Sequence, residues 1–331
     1  MARFRGVAVV AALGLLAGAC GSANDATTTS AAGAAGSIAV SGSSTVEPIT
    51  ARVAEAFSAA NSGVGVTVEG PGTGDGFARF CAGEIDIADA SRPISDEEAA
   101  TCANAGIEYV ELHIATDGIT VVTSPENADI SCLSFGDLYA LTGPESEGFA
   151  NWSDANDLAL EVGGIGGFPD VPLVITAPGE ESGTYDTYVD MVFGDIAEER
   201  GTDEAARADY QASANDNVIV DNVGQNPSSL GWVGYAFFDE NADSLKAIEV
   251  DGGDGCVSPT ADSIASFEYP LSRPLFIYVS LNRLAGNPNL GPFVDYYLSD
   301  EGLTAVTEAG YVALPAADLE ETRAAWAASA G

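Results

Sequence analysis

The chain has 331 residues, 46% of them hydrophobic. That is enough for a sizeable core and, at ~100–200 residues per domain, for two domains. Lys and Arg number 11 against 50 Asp and Glu, a formal net charge of −39 at pH 7, and Lys246 is the one lysine. Such a surface repels nucleic acid and anionic membranes, which excludes nucleic-acid partners. It also repels a free anion at long range. An anion site here must therefore work through donors at contact distance, with salt screening the global field beyond ~10 Å at 0.1 M. A lysine-poor, acid-rich surface of this kind suits a salty habitat.

At the amino end, Arg3 and Arg5 precede the apolar stretch Gly6–Ala17. This predicts a signal peptide over residues 1–19, since a membrane-spanning helix needs ~20 apolar residues. Leu16-Ala17-Gly18-Ala19-Cys20 resembles a bacterial lipoprotein box with its leucine one position early, and makes Cys20 the lipidation site. Ala17-Gly18-Ala19 is also an A-x-A site for ordinary secretion. Two destinations follow: a lipoprotein held to the cell membrane through its lipid anchor, or a secreted or periplasmic protein. Of the five cysteines, lipidation of Cys20 leaves Cys81, Cys102, Cys132 and Cys256. Four cysteines allow three pairings. The expected one is Cys81–Cys102, closing a short local loop, with Cys132–Cys256 closing the other. Residues 20–36 are small and polar without periodicity and read as a flexible tether.

The folded part opens with a strand at Ser37–Val40. The turn Ser41–Thr45 follows, then a helix with Val46, Ile49, Val53 and Phe57 on one face. Val64–Val68 alternates as a strand. The glycine loop Gly70–Gly76 comes next, then a helix carrying Phe77, Phe80 and Cys81, and a strand around Ile85, Ile87 and Ala90. Alternating strands and helices predict an α/β fold. Ile119–Val122 reads as a crossing between lobes, and Ser134 as the cap of a short helix with Asp137 at its third position. Leu173–Thr176 is a buried strand. After Ser182-Gly183-Thr184, the spacing of Tyr185, Tyr188, Val189, Val192 and Phe193 marks one buried helix face. Pro274–Ser280 is a second crossing, and Gly291–Ala309 a further helical region.

Three segments share one design in which a strand ends, Ser, Thr or Gly follow, and a helix begins: Ser43-Ser44-Thr45, Gly72-Thr73-Gly74 and Ser182-Gly183-Thr184. The first turn of a helix has up to four backbone N–H groups without intrahelical partners. The macrodipole adds about half a positive charge there. Together these make an anion site that needs no lysine or arginine. Any one such loop is ordinary helix capping; three of them in an exported two-domain chain point to an oxyanion. Catalytic patterns fail. The run Gly70–Gly76 lacks both the dinucleotide spacing and the Lys-Ser/Thr of a phosphate loop, and no G-x-S-x-G elbow exists. His113, the one histidine, sits in an apolar stretch and reads as a strand residue. A zinc ligand set is missing. Asp251–Gly255 (DGGDG) lacks the EF-hand pattern and reads as a turn.

At these loops the sequence resembles the phosphate-binding proteins of bacterial phosphate ABC importers (Pst-type), in the branch with a GSSTVxPI motif. Here that motif is Gly42–Ile49. Matching segments are Gly72–Phe77, Gly83–Ile94, Ser182–Asp186, Leu230–Ala236, Pro270–Leu275 and Gly310–Val312, over roughly residues 38–315. The resemblance implies a two-lobed clamshell (type II), each lobe a mixed sheet flanked by helices, with a two-strand hinge. Lobe 1 would comprise 37–119 and 275–331, and lobe 2 would comprise 120–274. It implies phosphate in the cleft, delivery to permease subunits, a monomer, no cofactor and no catalysis. By motif position Ser44, Thr45, Thr73, Ser182, Gly183 and Thr184 donate to phosphate. Two positions depart from the family. Pro178 stands where many members have an arginine, and Ser91 where many have a proton-accepting aspartate. Arg92, beside Ser91, is the expected substitute cation. Asp75, in the glycine loop, is the one candidate proton acceptor, although it reads more simply as an exposed helix-start residue. Other readings are a receptor for sulfate or molybdate, a surface phosphatase-like enzyme, and a structural surface lipoprotein.

Overall fold

The computed structural model describes residues 36–180 and 182–330. The signal peptide, Cys20 and nearly all of the tether therefore lie outside the described residues. The strands are β1 (Gly36–Gly42), β2 (Val64–Glu69), β3 (Ile87–Ala90), β4 (Tyr109–Thr123), β5 (Cys132–Ser134), β6 (Val174–Ala177), β7 (Gln211–Ala212), β8 (Ser229–Gly234), β9 (Lys246–Ala247), β10 (Glu249–Asp251), β11 (Cys256–Val257) and β12 (Ser272–Ser280). Among the described residues, nine strands join in the order β2-β1-β3-β12-β4-β8-β6-β7, with β9 on β4, and β11-β10-β5 form a small separate sheet.

The fold is α/β, a mixed sheet flanked by helices, with β4 and β12 side by side at its middle. β1 runs parallel to β2 and β3, as strand–helix–strand crossovers demand. β12 is antiparallel to both β3 and β4. Up to Gly118, β4 pairs with β12; from Ile119 to Val122 it pairs with β8 instead. The crossing strand is longer than Ile119–Val122, spanning 15 residues that are buried without a break from Ile114 onward. Such a run is continuous rather than alternating because both faces are covered. His113 lies in it as a strand residue, its ring against Phe276, and burial lowers its pKa.

Distinct apolar cores sit on either side of the crossing strands. Ile38, Val40, Ile49, Val53, Phe57, Ile277 and Phe293 pack in one. Leu138, Trp152, Tyr188, Phe193, Leu230 and Trp232 pack in the other, with Tyr188 stacked on Trp232 at 4.1 Å. The helices that matter for the site are α1 (Glu47–Ala60), α2 (Thr73–Cys81), α3 (Asp96–Ala105), α4 (Phe135–Thr142), α5 (Asn156–Glu161) and α6 (Gly183–Arg200). Ser134 caps α4 reciprocally with Asp137, as its sequence predicts. The DGGDG segment is a turn in which Asp251 Oδ1 accepts from Gly253 and Gly255 N–H. Both expected disulfides are present, Cys81–Cys102 between α2 and α3, and Cys132–Cys256 across the small sheet.

Two local expectations shift. α2 starts at Thr73, inside the glycine run, because Gly72 at φ 115° makes the turn and Gly76 already bonds back to Gly72. The region Gly291–Ala309 is two helices, Leu290–Tyr297 and Thr304–Glu308. Ser299 Oγ donates to Tyr296 O and accepts from Gly302 N, turning the chain between them.

Candidate functional site

The starts of α1 and α2 come together at the carboxyl ends of β1 and β3. Ser43 N–H donates to Asp89 O at 2.8 Å, and Gly72 N–H donates to Gly42 O at 2.8 Å. Ser43 Oγ accepts from Thr45 and Val46 N–H, tightening the entry to α1. Thr73 Oγ1 lies 3.1 Å from Ser91 Oγ and accepts from Ser91 N–H at 3.2 Å. The close approach of α2 to β1 needs glycine, since a Cβ on Gly76 would stand 2.5 Å from Gly42 Cα.

A cavity of about 220 Å³ opens at this junction, lined by Ser43, Ser44, Thr45, Gly72, Thr73, Ser91, Arg92, Asp186, Asp190 and Arg273. Five of the expected site residues therefore share one cavity: Ser44, Thr45, Thr73, Ser91 and Arg92. Ser182, Gly183 and Thr184 are not among its lining residues. They form the cap and first turn of α6, with Ser182 Oγ accepting from Thr184 N–H. They abut the cavity wall: Thr45 Oγ1 donates to Gly183 O at 3.4 Å, and a Cβ on Gly183 would lie 3.1 Å from Thr45 Cα. Ser44 Oγ donates to Asp186 Oδ2 at 2.8 Å across the same gap. Asp75 is exposed near the start of α2 and does not line the cavity.

The arginines differ in what they are bound to. Arg92 is half-exposed, and its two terminal nitrogens hold Glu98 bidentately at 2.8 and 2.9 Å. The guanidinium's hydrogen bonds hold the Glu98 carboxyl down at about 2. Arg92 also sits 5.6 Å over the Phe77 ring. Arg273 is much more enclosed, its side chain 11% exposed. Its Nη2 donates to Thr45 Oγ1 at 2.8 Å and to Thr187 Oγ1, and its Nη1 lies 3.3 Å from Asp190. Sequence reasoning missed Arg273, Asp186 and Asp190. A basic residue heading the apolar run Pro274–Ser280 was the available signal for the first. The spacing of 186 and 190, one turn apart on a helix face, was the signal for the others.

Beneath the site, Asp89 is 1% exposed and neither carboxyl oxygen has a hydrogen-bond partner among the described residues. Burial pushes its pKa up to about 8, and the Glu47 charge adds to the rise; the nearby Thr50 hydroxyl, which is paired with Tyr297, opposes it without a formed hydrogen bond to the carboxyl.

A family model described as a PBP superfamily domain matches residues 27–301. The chain is 42% identical over 281 residues to Protein SphX of Synechocystis, covering 84% of this chain and 79% of that protein. It is 36% identical over 304 residues to the phosphate-binding protein PstS of Staphylococcus aureus, covering 91% and 85%. A crystal structure of a possible phosphate binding protein from Planctomyces limnophilus superimposes with a TM-score of 0.81 at 38% identity, covering 90% of this chain and 99% of that one. The class these matches define is the PBP superfamily, and within it the chain belongs to the phosphate-binding protein family.

Proposed function

We propose that this protein captures inorganic phosphate outside the cytoplasmic membrane and delivers it to an ABC-type importer, without catalysis. The observation that carries the reading is the convergence of the α1 and α2 starts on one small cavity whose lining is mostly hydroxyl groups, glycine and arginine. Helix-start amides and hydroxyls suit a tetrahedral oxyanion, and the 36%-identical relative from Staphylococcus aureus is a phosphate-binding protein. In this reading Ser44, Thr45, Thr73 and Ser91 donate from one side, and Ser182, Gly183 and Thr184 from the start of α6. Arg92 contributes positive potential that it shares with Glu98. Asp186 and Asp190, which line the same cavity, accept the proton of hydrogen phosphate in this reading, the role left open by Ser91. Residues 37–119 with 275–331 form one closing lobe and 120–274 the other. The mature protein is a monomeric lipoprotein anchored through Cys20, and its partners are the importer's permease subunits.

Calorimetry of the mature chain with inorganic phosphate, in a large excess of sulfate, tests the reading. The expected result is saturable, one-to-one phosphate binding that sulfate does not displace. Equal binding of sulfate would make it a general oxyanion receptor, and no binding of either would end the proposal.

A further inference from the structure

Resting on the phosphate reading, we infer that Arg273 is the charged contact of the bound oxyanion, supplied from the crossing strand, and that Asp117 is the residue that positions it. Arg273 and Asp117 are register partners across the antiparallel β12–β4 ladder, so their side chains share one face of the sheet. Arg273 Nε lies 3.5 Å from Asp117 Oδ2, and both side chains are nearly enclosed, 11% and 5% exposed. Thr187 Oγ1 accepts from Arg273 Nη2 and lies 2.7 Å from Gly183 O and 3.1 Å from Asp117 Oδ2, either of which can take its single proton. The guanidinium is thus held from β4 and α6 together, with Nη1 on the side of Asp190, and Arg273 lines the same cavity as Ser44, Thr73 and Ser91.

The partner on that outer side is weak. Asp190 is 67% exposed, and its contact with Nη1 is long at 3.3 Å. A carboxylate so well hydrated holds an arginine only weakly. An oxyanion carrying up to two charges, and offering a bidentate edge, replaces it readily. Arg92, by contrast, has both terminal nitrogens on the Glu98 carboxylate, whereas of Arg273's two only Nη1 has a carboxylate partner and Nη2 is on hydroxyls. Where Pro178 leaves the loop before α6 without a cation, Arg273 reaches the same cavity from a different element.

The test is phosphate calorimetry on the mature chain, at about pH 6 and about pH 8, where the mono- and dianion of phosphate respectively prevail. The ionisable groups facing Arg273 are Asp117 on β4, Asp186 and Asp190 on α6, and Tyr311. Removing the arginine alone strands Asp117 in the interior, so the informative variant is the double one, Arg273→Gln with Asp117→Asn. The wild type is expected to bind more tightly at about pH 8 than at about pH 6; in the double variant the affinity should be about 10- to 100-fold weaker, as for loss of a charged hydrogen-bond pair, and that preference for the dianion lost. A merely structural role would leave that preference in place. Arg273→Lys retains the charge without the fork. It should bind about tenfold more weakly and keep the dianion preference, and it carries the test if the double variant does not fold. Wild-type affinity in Arg273→Lys, or in a folded double variant, overturns the inference while the receptor reading stands. A wild-type chain that binds no phosphate overturns both.

Discussion

At the residue scale, Asp89 sets a pH dependence opposite to that of most carboxylates. It is buried under the Ser43–Thr45 turn with its acid form favoured up to about pH 8, whereas an unfolded aspartate titrates near pH ~4. Between these values the folded chain holds a proton that the unfolded chain has released, so stability falls as pH rises. Below about pH 4 both states are protonated and the cost vanishes; above about pH 8 both are ionised and it stops growing. Asp89→Asn should therefore gain on the wild type progressively from about pH 4 to about pH 8. The gain should reach about 1–4 kcal/mol in urea unfolding. Glu98 behaves in the usual sense. Its folded pKa is depressed to about 2 by Arg92, so its contribution is complete above the unfolded value and lost as pH falls toward 2.

At the element scale, the site depends on how closely α2 packs on β1. Inside a helix, Gly→Ala ordinarily stabilises by up to ~1 kcal/mol. Gly74 follows that rule, because a Cβ there meets nothing within 4 Å. Gly76 does not, because its Cβ would meet Gly42 Cα at 2.5 Å and Ser41 O at 3.0 Å. Gly76→Ala should cost about 1–3 kcal/mol and weaken phosphate binding, while Gly74→Ala should leave stability equal or higher; paired urea melts and calorimetry check both. The helix starts themselves were legible in the chain, because capping is local chemistry. Ser182 caps α6 and Ser134 caps α4 where Ser precedes an apolar-periodic run. The start of α2 was less legible, because the positive φ of Gly72 that turns the chain is not marked in a run of alternating glycines.

At the scale of the whole molecule, the net charge of −39 works against compactness through self-repulsion. Screening shortens its reach from ~10 Å at 0.1 M to ~3 Å at 1 M salt. The melting temperature should therefore climb between 0.1 and 1 M sodium chloride; a flat or falling curve would show that the acidic surface carries no such penalty. Phosphate affinity should respond less, because its donors act at contact distance, well inside the screening length.

Composition, periodicity and motif order were enough to predict the α/β class, the capped helix starts and, once Cys81–Cys102 was paired locally across 21 positions, the Cys132–Cys256 disulfide across 124 by remainder. They did not bring in Arg273, which reaches Thr45 across 228 positions, or Asp186, which meets Ser44 across 142. Those contacts exist because β4 and β12 pair side by side and the turn before α1 meets the first turns of α6 over them. That geometry is set by long-range strand pairing and core packing, and no local pattern in the chain encodes it.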